Sequence, residues 1–297
     1  MIKNLFLVAV CMLFATTAFA GGNKTGWELN LQQLSLNLTS TEVHNSVPEF
    51  NQPRLKANSQ TLIQGKLDFF ANYFAPKLFW SNGLNAEYGK TCVRPKNKEE
   101  IVTENADKIL LTTGLAYRLW NVQSFLGGFE VGPFANIGYE TEFDATEVEI
   151  AGVKERHLRQ IFRGKAGAKI FEGKYLKDLY VAAVGESDCT YSTPSEKFAG
   201  EVGFRAEADV REGVKFIAWS YYRNYISQSK EHISDLKYEI ESEVRLDVKL
   251  WNNFAVAPFV NYYSASAKRF NCVADNWYTG ISLSYSTFFM KAKENVL

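Results

Sequence analysis

The sequence contains 297 residues, of which 46% are hydrophobic and 14% aromatic, and its 33 basic and 33 acidic side chains leave no net charge. Because the charge is balanced and no basic stripe is present, the composition gives no argument for nucleic acid as a partner. Beyond the N-terminal region, no segment approaches the roughly 18 consecutive apolar residues of a membrane-spanning helix. If the chain crosses a membrane, it must therefore do so as a closed β-barrel.

The first twenty residues have the layout of a secretory signal peptide. Lys3 precedes an apolar run at residues 5–14, and the small-residue pattern Ala18-Phe19-Ala20 follows. We therefore predict a cleaved signal peptide at 1–20, a β-barrel at 21–289 and a short C-terminal tail at 290–297.

The rest of the chain alternates apolar and polar residues with a period of two, which indicates strands. In chain order, the predicted strands are 27–38, 61–74, 77–89, 107–120, 125–140, 157–172, 175–185, 196–210, 213–226, 236–251, 253–265 and 276–289. In the first strand the apolar positions change parity, so we expect a β-bulge near Gln32 and Gln33. The strand at 175–185 has the least regular alternation.

The alternation is clearest over residues 236–251, LKYEIESEVRLDVKLW, where nearly every odd position is charged and the even positions are apolar except Ser242. A helix would spread these charges around its circumference, whereas a strand places them all on one face. At about 3.3 Å per residue, such a strand is long enough to cross a bilayer's hydrocarbon core.

Twelve long strands joined alternately by tight turns and longer polar loops match the plan of a bacterial outer-membrane barrel. The predicted fold is all-β, a single antiparallel up-and-down transmembrane β-barrel. A secreted soluble β-protein would show the same alternation with the faces reversed. Aromatic residues near strand ends favour the membrane barrel, because such girdles lie at membrane–water interfaces. They include Trp27, Trp80, Tyr117, Phe125 and Trp277.

The segment from Tyr278 to Tyr285 supplies a specific motif. Its residues Tyr278, Gly280, Leu283 and Tyr285 resemble the C-terminal signal that the barrel-assembly machinery recognises in bacterial outer-membrane β-barrel proteins. This resemblance implies a location in the outer membrane of a Gram-negative cell and assembly by that machinery. The chain departs from the pattern by continuing past the aromatic residue to Leu297.

The charged faces of the strands are the main functional candidates, since they would line the lumen. The predicted lumen residues are Lys66, Asp68, Arg118, Glu130, Arg159, Arg163, Lys165, Lys169, Glu201, Arg205, Glu207, Lys215, Arg223, Glu239, Glu241, Glu243, Arg245 and Asp247. Opposite charges could line a narrow pore or close it by ion pairing. We predict a porin-like channel, without a catalytic role, for passive diffusion of small hydrophilic or charged solutes.

Two other functions remain open. A closed barrel could serve as an adhesin or structural anchor through its surface loops, of which the predicted loop at 39–60 is the longest and could fold inward or outward. Alternatively, Ser81-Asn82-Gly83 looks like part of the His-any-Ser-Asn-Gly motif of twelve-stranded outer-membrane phospholipases. Phe79 replaces the histidine, however, and a serine without a base is not activated.

The remaining predictions concern cysteines and partners. An exported protein permits one disulfide among Cys92, Cys189 and Cys272, which all lie in or beside predicted loops. We expect no metal site, no cofactor and no nucleic-acid partner. The expected partners are the lipid bilayer, the barrel-assembly machinery and small solutes, and the barrel is expected to be a monomer.

Overall fold

A computed structural model describes residues 24–45, 55, 60–93, 101–123, 127–150, 153–191, 193–230, 235–269 and 272–294. The predicted signal peptide lies outside these residues. Among the described residues, no helix is both long and apolar enough to cross a membrane.

Twelve long antiparallel strands close into one barrel, as predicted. They are β1 (Lys24–His44), β2 (Gln60–Phe74), β3 (Leu78–Val93), β4 (Ile101–Tyr117), β5 (Phe129–Thr141), β6 (Gln160–Phe171), β7 (Leu176–Asp188), β8 (Ser195–Arg211), β9 (Val214–Gln228), β10 (Leu236–Trp251), β11 (Phe254–Ala267) and β12 (Val273–Met290). Each strand pairs with its neighbour in the sequence, and β12 pairs with β1 to complete the cylinder.

The two ends of the barrel differ in their connections. At one end most of the strands are joined by short turns, such as the one at Gly213, whose positive φ of 74° suits glycine, although the longer connection between β4 and β5 also lies there. We call this end the turn side; the chain also enters β1 and leaves β12 there. The opposite end, where the longer connections lie, is the loop side.

The irregularity predicted in the first strand is present. The pairing of β1 with β2 shifts register between Leu31 and Gln33. Beyond the shift, Leu34, Leu36 and Leu38 are exposed, while Ser35 and Asn37 are buried. The extra residue therefore allows Trp27, before the shift, and the three leucines after it to be exposed on the same outer face.

β10 has the predicted limits, but its alternation is interrupted at the loop side. From Glu239 to Asp247, the odd-numbered residues face inward. At the start of the strand the order is reversed, because the even-numbered Leu236 is buried and the odd-numbered Lys237 is exposed. The pairing with β11 shifts register between Leu236 and Tyr238, which turns Leu236 toward the interior.

Several predicted boundaries were wrong. β4 begins at Ile101 rather than 107 and ends at Tyr117, and a separate three-residue strand, Trp120–Val122, pairs with β5. The strand predicted at 157–172 begins at Gln160, because His157 ends a small hairpin of Thr146–Ile150 and Val153–His157. After β12, the tail segment Lys293–Glu294 pairs with Lys24 and Thr25.

Candidate functional site

All the residues predicted to line the lumen lie on the inward-facing side of the barrel wall. On β2, β5, β6, β8, β9 and β10 they occupy the alternate positions whose side chains point inward. Arg118 and Arg159 lie just after β4 and just before β6, at positions that continue the same alternation. Most of them are buried and the others are partly buried, with Lys215 having the most exposed side chain. The interior thus holds a dense set of ionisable side chains. The way these side chains are paired and packed differs sharply between the two ends of the barrel.

On the loop side, Arg163 joins two neighbouring strands to β6. Its Nε lies 2.6 Å from Glu186 Oε2 on β7, and its Nη1 donates to Glu140 on β5. Arg159 contacts the other oxygen of Glu140 at 3.0 Å. Burial lowers the pKa of Arg159, but the carboxylates of Glu140 and Glu142 more than offset this, so its pKa lies above the usual range.

Arg223 on β9 forms the second centre of this region. It pairs with Glu201 on β8 at 2.6 Å and with Glu239 on β10. Tyr225 donates to Glu186 at 3.1 Å, which connects the two arginine centres. We call Arg163, Arg223, Glu140, Glu186, Glu201 and Glu239 the ion-pair layer.

The ion-pair layer is a buried network. Buried charges are tolerated when each has a partner and its remaining donors and acceptors are satisfied. Tyr263 adds to this satisfaction by donating to Glu239 Oε2 at 3.1 Å. The layer therefore fills the loop-side lumen with side chains of opposite charge in direct contact.

Below the layer, the side chain of Lys66 extends across the lumen. Its Nζ lies 3.5 Å from Glu87 on the adjacent β3 and also 3.5 Å from Glu243 on β10. It also lies 5.9 Å from the centre of the Trp219 ring on β9. Around the wall, three strands separate β2 from β10 even by the shorter way, through β1, β12 and β11, so these contacts cross the interior.

Above the layer, Leu55 from the connection between β1 and β2 lies inside the barrel. It is fully buried in a cluster with Val184, Ala199, Tyr225 and Tyr263, among others. Lys197 lies nearby, 3.5 Å from Glu186 and 3.2 Å from Asp235. Of the two directions considered for this loop, the position of Leu55 agrees with the inward one.

The turn-side half contains a cavity of about 1470 Å³, which we call the vestibule. Its lining reaches the turn-side end at Glu172 and Asn253, and Lys165 and Arg205 lie on its inner wall. The predicted lumen residues Lys169, Glu207, Lys215 and Asp247 also line it. The lumen is therefore filled toward the loops and open toward the turns.

One side of the vestibule mouth is packed with aromatic rings. Phe74, Phe79 and Phe171 form a buried cluster, with the Phe79 and Phe171 rings 5.9 Å apart, and Ala292 of the tail packs against it. Arg118 pairs with Glu130 at 2.7 Å next to this cluster. These two predicted lumen residues thus belong to the rim rather than to the open wall.

Ser81 lies inside the barrel and lacks a nearby base. Its Oγ donates to Asn72 Oδ1 at 2.7 Å. His44 lies at the loop side, 3.2 Å from Asp275, and the ring of His157 lies 4.9 Å from that of Tyr191, while His232 is outside the described residues. Neither described histidine is placed to activate Ser81.

The predicted disulfide is not seen between the cysteines that can be assessed. Cys189 and Cys272 are both free thiols, and the side chain of Cys92 lies outside the described residues. Within the described part of the chain, no group of three or more His, Cys, Asp or Glu side chains could hold a metal ion.

The orientation of the two faces decides the class of barrel. On β10, Val244 is 47% exposed, whereas its neighbours Glu243 and Arg245 are 7% and 6% exposed. A soluble protein would bury the valine and expose the charges. The chain is an outer-membrane-type β-barrel. Its even strand number, apolar exterior and polar interior are those of transmembrane barrels.

Exposed aromatic side chains agree with this assignment. Trp27 (42% exposed) and Trp80 (37%) are on the turn side, with their rings 5.6 Å apart, and Trp277 (43%) is toward the loop side. Rings at these two levels form the interfacial girdles expected of a barrel embedded in lipid. The position of Phe125 lies outside the described residues.

Comparisons with known proteins give only distant similarities. No family model and no curated protein matches the chain. The translocator domain of autotransporter NalP from Neisseria meningitidis is 10% identical, with a TM-score of 0.37, over 96% of this chain and 94% of that chain. The beta domain of the Bordetella autotransporter BrkA is 10% identical, with a TM-score of 0.41, over 88% and 100%.

OmpT, an outer membrane protein of Vibrio cholerae, is 8% identical, with a TM-score of 0.39, over 88% of this chain and 100% of that chain. Similarities at this level assign no function to the chain.

Proposed function

We propose that this barrel is a narrow channel for small hydrophilic or charged solutes, with Lys66 and the ion-pair layer as its constriction. The observation that carries the proposal is the vestibule of about 1470 Å³. Protein interiors are normally close-packed, and voids much larger than a water molecule are few. A cavity of this size, lined in part by charged and polar side chains beneath a charged constriction, is suited to admitting water and solutes.

The constriction explains why the channel should be selective. A solute passing from the vestibule toward the loops must displace Lys66 and then pass between paired charges. Separating a buried pair leaves a charge without its partner and typically costs about 3–5 kcal/mol. Solutes that can replace one member of a pair are favoured over neutral ones, and the channel is expected to open rarely.

A second candidate is a closed barrel that acts as an adhesin or anchor through its loops. The filling of the loop-side lumen by the ion-pair layer and by Leu55 favours it. In this case the vestibule would be a blind cavity, and removing single side chains from the constriction would not create a conducting path.

Conductance of the purified barrel in planar bilayers tests these alternatives. We expect small, infrequent openings of the wild type and at least a twofold larger conductance for Lys66→Ala, because this change removes the side chain that crosses the lumen. Lys66→Met keeps most of the volume and removes the charge, so it should shift ion selectivity toward cations with a smaller gain in conductance. Lys237→Ala, at an exposed loop-side position, is the control and should match the wild type.

The result that contradicts the channel is an absence of conductance in the wild type and in both Lys66 variants, with folding verified by resistance to unfolding in detergent at room temperature. That outcome would favour the closed anchor.

The proposal includes no catalytic step. Calcium-dependent lipid hydrolysis that is lost in Ser81→Ala would contradict this part of it. We further propose that the barrel is exported, functions as a monomer in the outer-membrane bilayer, and is assembled through the segment from Tyr278 to Tyr285 on β12.

A further inference from the structure

The vestibule wall formed by β6, β7, β8 and β9 carries more cations than carboxylates. Lys165, Lys169, Arg205 and Lys215 line it. Their carboxylate partners are Glu201 for Lys165, Asp178 for Lys169, and Glu207 for both Arg205 and Lys215. Glu201 is in addition shared with Arg223. Four cations of this wall thus share three carboxylates, and one of these is also used by the ion-pair layer.

Of these four cations, Arg205 and Lys215 have the most exposed side chains. Arg205 Nε lies 2.9 Å from Glu207 Oε1, and Lys215 Nζ lies 2.9 Å from Glu207 Oε2, so both oxygens of this carboxylate are occupied. The side chains of Arg205 and Lys215 are 30% and 44% exposed, but that of Glu207 is only 10% exposed. The positive groups therefore face the cavity, with the carboxylate behind them.

Arg205 retains unused hydrogen-bond donors. In the part of the chain that the structure describes, its only hydrogen bond is the one from Nε to Glu207, which leaves the Nη1 and Nη2 amino groups available. A guanidinium edge of this kind binds carboxylate or phosphate oxygens in a planar, bidentate manner. In a confined cavity, the field of such cations is also stronger than on an open surface.

The other walls are suited to the remainder of such a molecule. Asn30, Asn72 and Ser81 contribute neutral hydrogen-bonding groups from β1, β2 and β3. Phe134 contributes an apolar surface, and Lys169 Nζ lies 5.5 Å from the ring centres of Phe134 and of the buried Phe171. A small molecule with one anionic end and a hydroxylated body would find partners at both walls.

We propose that the vestibule binds small organic oxyanions, through a carboxylate or phosphate group held by Arg205 and Lys215. The proposal deepens the channel function, on which it rests for the claim that the bound anion is the transported solute. Binding itself requires only access from the turn side.

Isothermal titration calorimetry on the full barrel folded in detergent, at low ionic strength, tests the binding. The probes are citrate and glucose 6-phosphate, with glucose as the neutral comparison. The wild type should bind at least one of the anions saturably and glucose at least tenfold more weakly. The Arg205→Gln/Lys215→Gln double variant should lose at least tenfold in anion affinity. Arg211→Gln/Lys237→Gln removes the same charge from exposed positions outside the vestibule and should bind like the wild type.

Trp219 offers a second measurement, because it is paired with Arg205 across β8 and β9 and contacts Lys66 inside the lumen. Anion binding should change its fluorescence, and Trp219→Phe should remove that change while calorimetric binding persists. Binding of citrate alone identifies a carboxylate site, and binding of glucose 6-phosphate alone identifies a phosphate site.

The binding proposal is overturned if neither anion binds saturably, or if the double variant binds as tightly as the Arg211→Gln/Lys237→Gln control. Anion binding without conductance would retain the site and reject the channel. Conductance without anion binding would retain the channel and reject the site.

Discussion

The loop-side and turn-side halves of this barrel are built from the same strands and the same kinds of side chain, yet one is filled and the other is open. In the loop-side half, Arg163 and Arg223 each have two carboxylate partners. In the turn-side half, Arg205 and Lys215 share one. The difference shows that a polar lumen becomes structural where each cation has several carboxylate partners and neighbouring residues are small, and remains accessible where cations exceed their partners.

Small and apolar inward residues complete the filling of the loop-side half. Val184 on β7 and Ala265 and Ala267 on β11 face the interior there and pack with Leu55 in one cluster. They leave room for a loop residue to enter. The turn-side half instead has long cationic side chains on the corresponding faces of β8 and β9, and these extend into the vestibule rather than closing it.

The largest effect is expected from Arg223→Ala, which tests whether the loop-side half stabilises the fold. The change leaves Glu201 and Glu239 buried without their shared cation, and breaking such a pair costs about 3–5 kcal/mol. The free energy of unfolding in urea, measured in lipid vesicles by tryptophan fluorescence, should fall by this amount. Arg211→Ala at the exposed turn is the control. Equal stability of the two variants would contradict a structural role for the ion-pair layer.

A smaller effect is expected from Leu55→Ala, which tests the inward position of the loop. Leucine-to-alanine changes at buried sites cost about 2–5 kcal/mol. Because only one connection depends on this side chain, the loss should appear as local opening. The connection between β1 and β2 should be cleaved faster by added protease, with little change in global unfolding. Leu250→Ala, on the exposed surface, should leave the cleavage rate unchanged. Equal rates for both variants would remove the support for a docked loop.

The smallest effect on stability is expected from Lys215→Ala, which tests the turn-side half. Its side chain is 44% exposed, and Glu207 keeps Arg205 as a partner. Exposed ion pairs contribute little, so the free energy of unfolding should change by less than about 0.5 kcal/mol. A loss comparable with that of Arg223→Ala would mean that both halves are structural, and the contrast between them would disappear.

The strand pattern and the inward direction of the charges could be predicted from the sequence, because both follow from the alternation of apolar and polar residues with a period of two. The bulge of β1 was also predictable, since Trp27 and Leu34 fall on opposite parities and only an extra residue between them allows both to face outward. The weak alternation of the seventh strand has a structural reason as well. Its inward residues Ala182 and Val184 are apolar because part of the loop-side interior is apolar.

The contacts across the lumen could not be predicted. Whether Lys66 meets Glu243 depends on the stagger of strands around the closed barrel, and periodicity within one strand carries no information about stagger. For the same reason, the sequence did not indicate that Lys197 would meet Asp235 or that Leu55 would enter the barrel. The register shift that turns Leu236 inward and leaves Lys237 exposed could not be predicted, because apolar and charged residues alternate regularly in this part of the sequence.

The pairing of β1 with β12 has a consequence for how the protein is made. Leu29 lies opposite Met290 at this seam, so the cylinder closes through partners from the first and last of its twelve strands. Contacts between such distant segments form slowly, and until they form, β1 and β12 each present an unpaired edge that invites aggregation. Translation of β12 must therefore finish before the wall can become continuous, and the nascent chain needs protection during that interval.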